Sequence, residues 1–215
     1  MLHVIGDSHS RIWSGKTFQQ FDGGSLFPNI AIHHIGAPLA YNLVDKDSVG
    51  KWGRYILDLL KRLPNVTAIG LSFGEIDMRT QAFKRSKLEE IHLKYASENI
   101  AKRLIKFCQI LRQHYQIPIF IMAPIASGSK AENSIGDPFI RNLATLYFNG
   151  YLKNKHQSIS NLYLIDIFDS LVTPQLETQN QYYIDNVHLN LDGLKLLKEK
   201  FAKESKKHQF KNYFL

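Results

Sequence analysis

Three side chains in this 215-residue sequence have the types and spacing that could make an alcohol reactive. Ser8 stands in Gly6-Asp7-Ser8-His9-Ser10 near the amino end, and Asp185 and His188 stand three apart in Ile184-Asp185-Asn186-Val187-His188 near the other. An unassisted hydroxyl is a poor nucleophile near neutral pH. An imidazole has to take its proton, and a carboxylate has to hold that imidazole in the right tautomer. In a turn that leads into a helix, Asp-x-x-His spacing brings the carboxylate to the ring, so base and orienter arrive together.

The elements that must position these residues can be read from periodicity. The run up to Gly6 is apolar and suits a buried strand, with Ser8 and Ser10 as capping residues for a helix that follows. A second strand spans Asn29 to Ile35, and Gly36 after it opens a loop in which a backbone amide can approach a ligand. Adjacent strand residues face opposite sides, so His33 and His34 are poorly placed to share a metal. Ser48 to Leu63 carries apolar residues at helical spacing, and Val66 to Ser72 is apolar throughout, as in a strand covered on both faces. Lys87 to Tyr115 reads as one long amphipathic helix or two consecutive ones, and Ile117 to Pro124 as a fourth strand. Phe139 to His156 is helical, Leu162 to Ile165 is a fifth strand, and Leu191 to Lys203 is the last helix. Strands alternating with helices predict a parallel sheet with helices on both faces, an α/β fold. A serine at the carboxyl end of the first strand would stand in the crevice where such sheets bind ligands.

Two loops complete the expected surroundings. Phe18 to Pro28 lacks a sustained period and is placed over the site entrance, while Ile125 to Pro138, after the fourth strand, is the expected segment for substrate selection. Ser72-Phe73-Gly74-Glu75-Ile76-Asp77 is read as a loop after the third strand. There Asp77 would brace the backbone, and Glu75 with Arg79 forms either a surface ion pair or a pair that orients substrate.

Taken together, Gly6-Asp7-Ser8-His9-Ser10, the glycine in His34-Ile35-Gly36-Ala37, the Gly74 loop and the terminal Asp185-x-x-His188 resemble the SGNH (GDSL-type) hydrolase superfamily, in that family's order and over nearly the whole chain. The resemblance implies a three-layer α/β/α sandwich with a five-stranded sheet in the order 2-1-3-4-5. It implies Ser8 as nucleophile, His188 as general base, Asp185 as its partner, and the amides of Ser8 and Gly36 as oxyanion donors. The sequence departs from the pattern at the third motif, usually Gly-x-Asn-Asp, where it has Gly74-Glu75-Ile76-Asp77. Ile76 cannot donate, and loss of one oxyanion donor typically costs about a hundredfold or more in rate. Arg79 and Asn42 are the donors considered in its place. Asp7, His9, Gly74, Glu75, Asp77, Arg79 and Asn42 are therefore the expected substrate-binding set.

The expected activity is hydrolysis or transfer of an acyl ester on a carbohydrate or similar polar alcohol, with no cofactor and no metal. A saccharide- or nucleotide-sugar-binding protein of polysaccharide biosynthesis on the same scaffold is the alternative, prompted by Ile76. A metal-dependent phosphoesterase using Asp7, His9, Asp185 and His188 is a third reading.

With 44% hydrophobic residues, the chain can bury one core, and a single domain over residues 1–215 is expected, ending in a basic tail at 206–215. The formal charge of +8 concentrates in Lys84 to Lys106 and Lys195 to Lys211, read as solvated helix faces without a nucleic-acid motif. The lone Cys108 falls in an apolar helical pattern, which fits packing in a reducing compartment. No signal peptide or membrane-spanning run is apparent, so a cytoplasmic location is expected. The oligomeric state is not legible.

Overall fold

The computed structural model describes residues 1–45, 49–128 and 134–215. Five strands, β1 (Leu2–Gly6), β2 (Ile30–His34), β3 (Ala68–Ser72), β4 (Ile119–Met122) and β5 (Leu162–Ile165), form one all-parallel sheet in the order β2-β1-β3-β4-β5. The register sets Gly6 beside both His34 and Ser72, Ser72 beside Met122, and Met122 beside Ile165. The carboxyl ends of all five strands therefore finish at one edge, and the loops after them open to the same side.

Alternation along each strand divides the core in two. Ile119 and Ile121 of β4 face one layer, where they meet Ile56 and Leu60 of α1 (Lys51–Arg62), Ile100, Leu104 and Phe107 of α4 (Leu93–His114), and Phe148 of α5 (Pro138–Lys155). Phe120 and Met122 face the other layer, with Trp13, Leu197 and Phe201. Leu197 and Phe201 belong to α6 (Leu191–His208). The apolar residues of α4 recur at intervals of three and four, which keeps one stripe on the sheet. Cys108 lies in that stripe, fully buried.

Several boundaries differ from the sequence reading for local reasons. The segment after Ser8 is a 3₁₀ helix, Ser8–Ser14, capped by the Asp7 side chain rather than by Ser8 or Ser10 and ended by Gly15 at φ +85°. Of the two readings of Lys87 to Tyr115, consecutive helices are found: the end of α3 (Ala82–Leu88), which starts earlier than expected, and α4, with Glu90 at φ +51° between them. The stretch read as a loop after β3 is the start of a helix, α2 (Glu75–Thr80), entered through Gly74 at φ +109°, a value that only glycine adopts without strain. Ser48, the expected start of α1, lies outside the described residues, as do residues 129–133 of the loop after β4.

The basic carboxyl end, expected as a tail at 206–215, is ordered against the domain. α6 continues to His208, after which Tyr213 and Phe214 return to the core. Phe214 stacks on Trp13 with centroids 5.6 Å apart and meets Phe201 edge-on. Trp13 in turn donates its indole N–H to the Met122 sulfur at 2.8 Å, which ties this aromatic group to the end of β4.

Candidate active site

Ser8 is delivered by a sharp change of backbone direction. β1 ends at Gly6, whose Cα packs so close to β3 that a side chain would collide with the Ser72 carbonyl. Asp7 is still extended, and its Oδ1 accepts the His9 amide at 2.9 Å, which starts the 3₁₀ turn with Ser8 in its first position. The base comes from a closed turn just before α6. Tyr183 and Leu189 form an antiparallel bridge, and the Ile184 amide donates to the His188 carbonyl at 2.9 Å. Asp185 Oδ1 accepts the amides of Val187 and His188 at 2.7 and 2.6 Å. Two further contacts fix this turn against the loop after β4. The buried Tyr183 hydroxyl donates to the Ala126 carbonyl at 2.7 Å, and Gly128 lets the backbone pass against the Asn186 carbonyl.

The two ends of the chain meet at this edge. Ser8 Oγ lies 2.8 Å from His188 Nε2, and His188 Nδ1 lies 2.8 Å from Asp185 Oδ2. Burial works against charge on Asp185, but the hydrogen bonds from the His188 ring and from two amides hold its carboxyl below the ordinary range. An ionised carboxylate only accepts, so Nδ1 carries the proton and the Nε2 lone pair is left to accept from the Ser8 hydroxyl. Burial first, and then the nearby charge of His9, keep His188 below its usual value against the pull of Asp185. A hydroxyl, a neutral imidazole and a carboxylate in this line can move one proton off the serine oxygen.

Gly36 stands two residues past the end of β2 at φ +92°, as Ser8 stands two past the end of β1, and the aligned register of Gly6 and His34 puts both on the same rim. Ile76 projects no donor. Arg79, one turn along α2, donates Nε–H to Glu75 Oε1 at 2.9 Å. Glu75 is buried, so this is not a surface pair. Three expected binding residues face elsewhere. Asp77 is wholly buried and accepts the amides of Ala40 and Tyr41 at 2.7 and 3.1 Å, so it braces the loop after β2 and is closed to substrate. Burial pushes its carboxyl up to about 7 against those hydrogen bonds. Gly74 serves the backbone, because a side chain there would press on Pro124 and Phe148. Asn42 is exposed on the short turn Ala40–Asn42 and does not line the depression at Ser8.

Ser8, His9, Ile12, Phe18, Met122, Ile125, His188 and Leu189 line that depression. A second one, which shares His9, Met122 and Ile125 with it, is also bordered by Asp7, Ser72 and Glu75. Each has a volume of about 10 Å³, room for roughly one water molecule. Phe18 narrows the first of these, where its ring covers the His188 imidazole. The sequence placed its loop over the entrance but gave no signal for this contact. A larger cavity of about 380 Å³, around Tyr41, Arg85 and Arg103, shares none of these residues.

Asp7, His9, Asp185 and His188 form two separate hydrogen-bonded pairs, and among the described residues no group of three or more His, Cys, Asp and Glu side chains could hold a metal ion. His33 is paired with His3 at 2.9 Å and His34 lies against Arg11 at 3.3 Å, on different sides of β2.

No family model and no curated protein sequence matches the chain. Solved structures do. A GDSL-like lipase from Bacteroides thetaiotaomicron aligns with a TM-score of 0.58 at 11% identity, over 96% of this chain and 88% of its own. An acetyl xylan esterase aligns at 0.53 and 17% identity, over 95% and 99%. A carbohydrate acetylesterase from Sinorhizobium meliloti aligns at 0.54 and 14%, over 96% and 98%. With the strand order β2-β1-β3-β4-β5, these likenesses define the fold: the chain has the SGNH (GDSL-type) hydrolase fold. Among the described residues no helix is long and apolar enough to cross a membrane.

Proposed function

We propose that the chain is a serine esterase that removes or transfers an acyl group from a carbohydrate or a similarly polar ester. The observation that carries this reading is the unbroken line from Ser8 Oγ through His188 to Asp185, with 2.8 Å at each step. Ser8 attacks the acyl carbon while His188 Nε2 takes its proton, and Asp185 stabilises the imidazolium. His188 then gives that proton to the leaving alcohol. Water attacking the acyl-serine completes hydrolysis, and a sugar hydroxyl in its place completes transfer. The amides of Ser8 and Gly36, which share one rim, serve the oxyanion. Two structures of this fold carry carbohydrate esterase names, which supports a carbohydrate ester as the substrate class.

Ile76 favours a second reading, in which the same scaffold binds a saccharide or nucleotide-linked sugar without cleaving it, since a fold hosts more than one function. A fluorophosphonate probe separates the two. Labelling of Ser8, together with p-nitrophenyl acetate turnover that disappears in Ser8→Ala, supports the esterase. Glycan binding by a protein that the probe does not label supports the binding protein and removes the esterase.

A further inference from the structure

We propose that His9 is a positioning residue for the Ser8 and His188 pair: a doubly protonated imidazolium that clasps the turn bearing His188 to the loop bearing Ser8 and keeps His188 in its neutral, proton-accepting form. The inference rests on the reading of Ser8 and His188 as nucleophile and base. Its grounds are the partners of the His9 ring. Nδ1 faces Asp7 Oδ1 at 3.0 Å, and Nε2 faces the Val187 carbonyl at 3.3 Å with Glu75 Oε2 at 3.7 Å. All of these are acceptors. A neutral imidazole donates from one nitrogen and shows a lone pair at the other, so a neutral His9 would turn that lone pair onto an oxygen. The ring is buried, and leaving such a group unsatisfied is costly. Protonation of both nitrogens answers both sides.

The charges around the ring agree. Asp7 faces it from its own loop and Glu75 from α2, while Arg79 is bound to the other oxygen of Glu75. From the last turn His188 stacks on it, centroids 5.1 Å apart and planes 29° apart, with Asp185 behind. A charged His9 answers the two carboxylates that face it, Asp7 and Glu75, while Arg79 and the buried Arg141 also act on Glu75. Burial alone would lower the His9 imidazole, but Asp7 and Glu75 outweigh it and raise it to about 9. A fixed cation at 5 Å disfavours a second proton on His188. The bond from His9 to Val187 also sits one residue away from the Ser8 and His188 contact on each strand of chain, so it restrains that contact from both sides.

The test is an NMR titration of the whole protein labelled with ¹⁵N-histidine, read beside the pH dependence of fluorophosphonate labelling. The expected result is a His9 ring protonated on both nitrogens at about pH 7.5 and a His188 midpoint below the ordinary 6.5. In His9→Gln, which keeps an amide but loses the charge, the His188 midpoint rises by about one unit, and labelling falls about threefold or more at roughly pH 5.5 relative to roughly pH 8.5. A merely structural His9 would lose labelling equally at both pH values. A neutral His9 ring in the wild-type protein, or a His188 midpoint unmoved in His9→Gln, overturns the proposal. The wild-type titration decides even if that variant does not fold. A wild-type protein that shows these charge states but no labelling supports the assignment of His9 and removes the esterase reading instead.

Discussion

Phe18 lies flat on His188, ring centroids 3.9 Å apart and planes within 6° of parallel. The Arg11 guanidinium sits over Phe18 in turn, 4.6 Å from its centroid. The imidazole is thereby held in one plane by an aromatic cover as well as by Asp185. Phe18→Ala opens that cover to water. Unfolding free energy should fall by about 1–2 kcal/mol, and the His188 midpoint, seen by NMR, should climb toward the ordinary 6.5 as the burial that depresses it is lost. An unchanged midpoint would show that Phe18 does not shield the ring.

Asp185 has two tasks that one substitution separates. Its Oδ1 holds the turn by accepting two amides, and its Oδ2 fixes the His188 tautomer. Asp185→Asn keeps an oxygen for the amides, so the thermal midpoint should change little. Ester turnover should fall by about 10³–10⁴-fold, because the ring is no longer held with its proton on Nδ1. A loss below about tenfold would remove Asp185 from the orienting role.

His9 makes stability depend on pH with a definite sign. Its folded value is raised from 6.5 to about 9, so the folded chain keeps a proton that the unfolded chain releases between those values. The contribution, about 3 kcal/mol, is fully present below 6.5 and lost as pH rises through 9. Urea unfolding at about pH 6 and pH 9.5 should show this loss in the wild type and not in His9→Gln. Asp77, raised by burial from 3.8 to about 7, also loses its contribution as pH rises through 7, but it does so in both proteins, so the difference between them isolates His9.

The carboxyl end offers a fourth expectation. Phe214→Ala removes a buried ring from between Trp13 and Phe201 and should destabilise the protein by about 3 kcal/mol in chemical denaturation. A change within a few tenths would mean that these last residues are peripheral.

Much of this was legible in the residues. The five strands and their edge could be read because β1 and β3 are mostly apolar and end at Gly6 and Ser72, and β5 has the bounds expected of it. Ser8, Asp185 and His188 were visible through residue type and motif order. What escaped has physical causes. The helix at Glu75 was hidden by Gly74, a residue that reads as a loop but here makes the left-handed entry to a helix. The docking of Tyr213 and Phe214 was masked by the lysines around them, since charge dominates the local pattern while two aromatics decide the packing. The contacts of Phe18 with His188 and of His9 with Val187 join residues more than 150 apart, and no local periodicity reports such pairs.

That separation bears on how the protein is made. The Ser8 hydroxyl is synthesised first, and the imidazole that meets it comes 180 residues later. Throughout translation up to that point the emerging polypeptide carries an ordinary, unreactive alcohol. On the proposed mechanism, acyl chemistry waits until the closing turn has left the ribosome and docked, so a chain that stops short of His188 holds no activated serine.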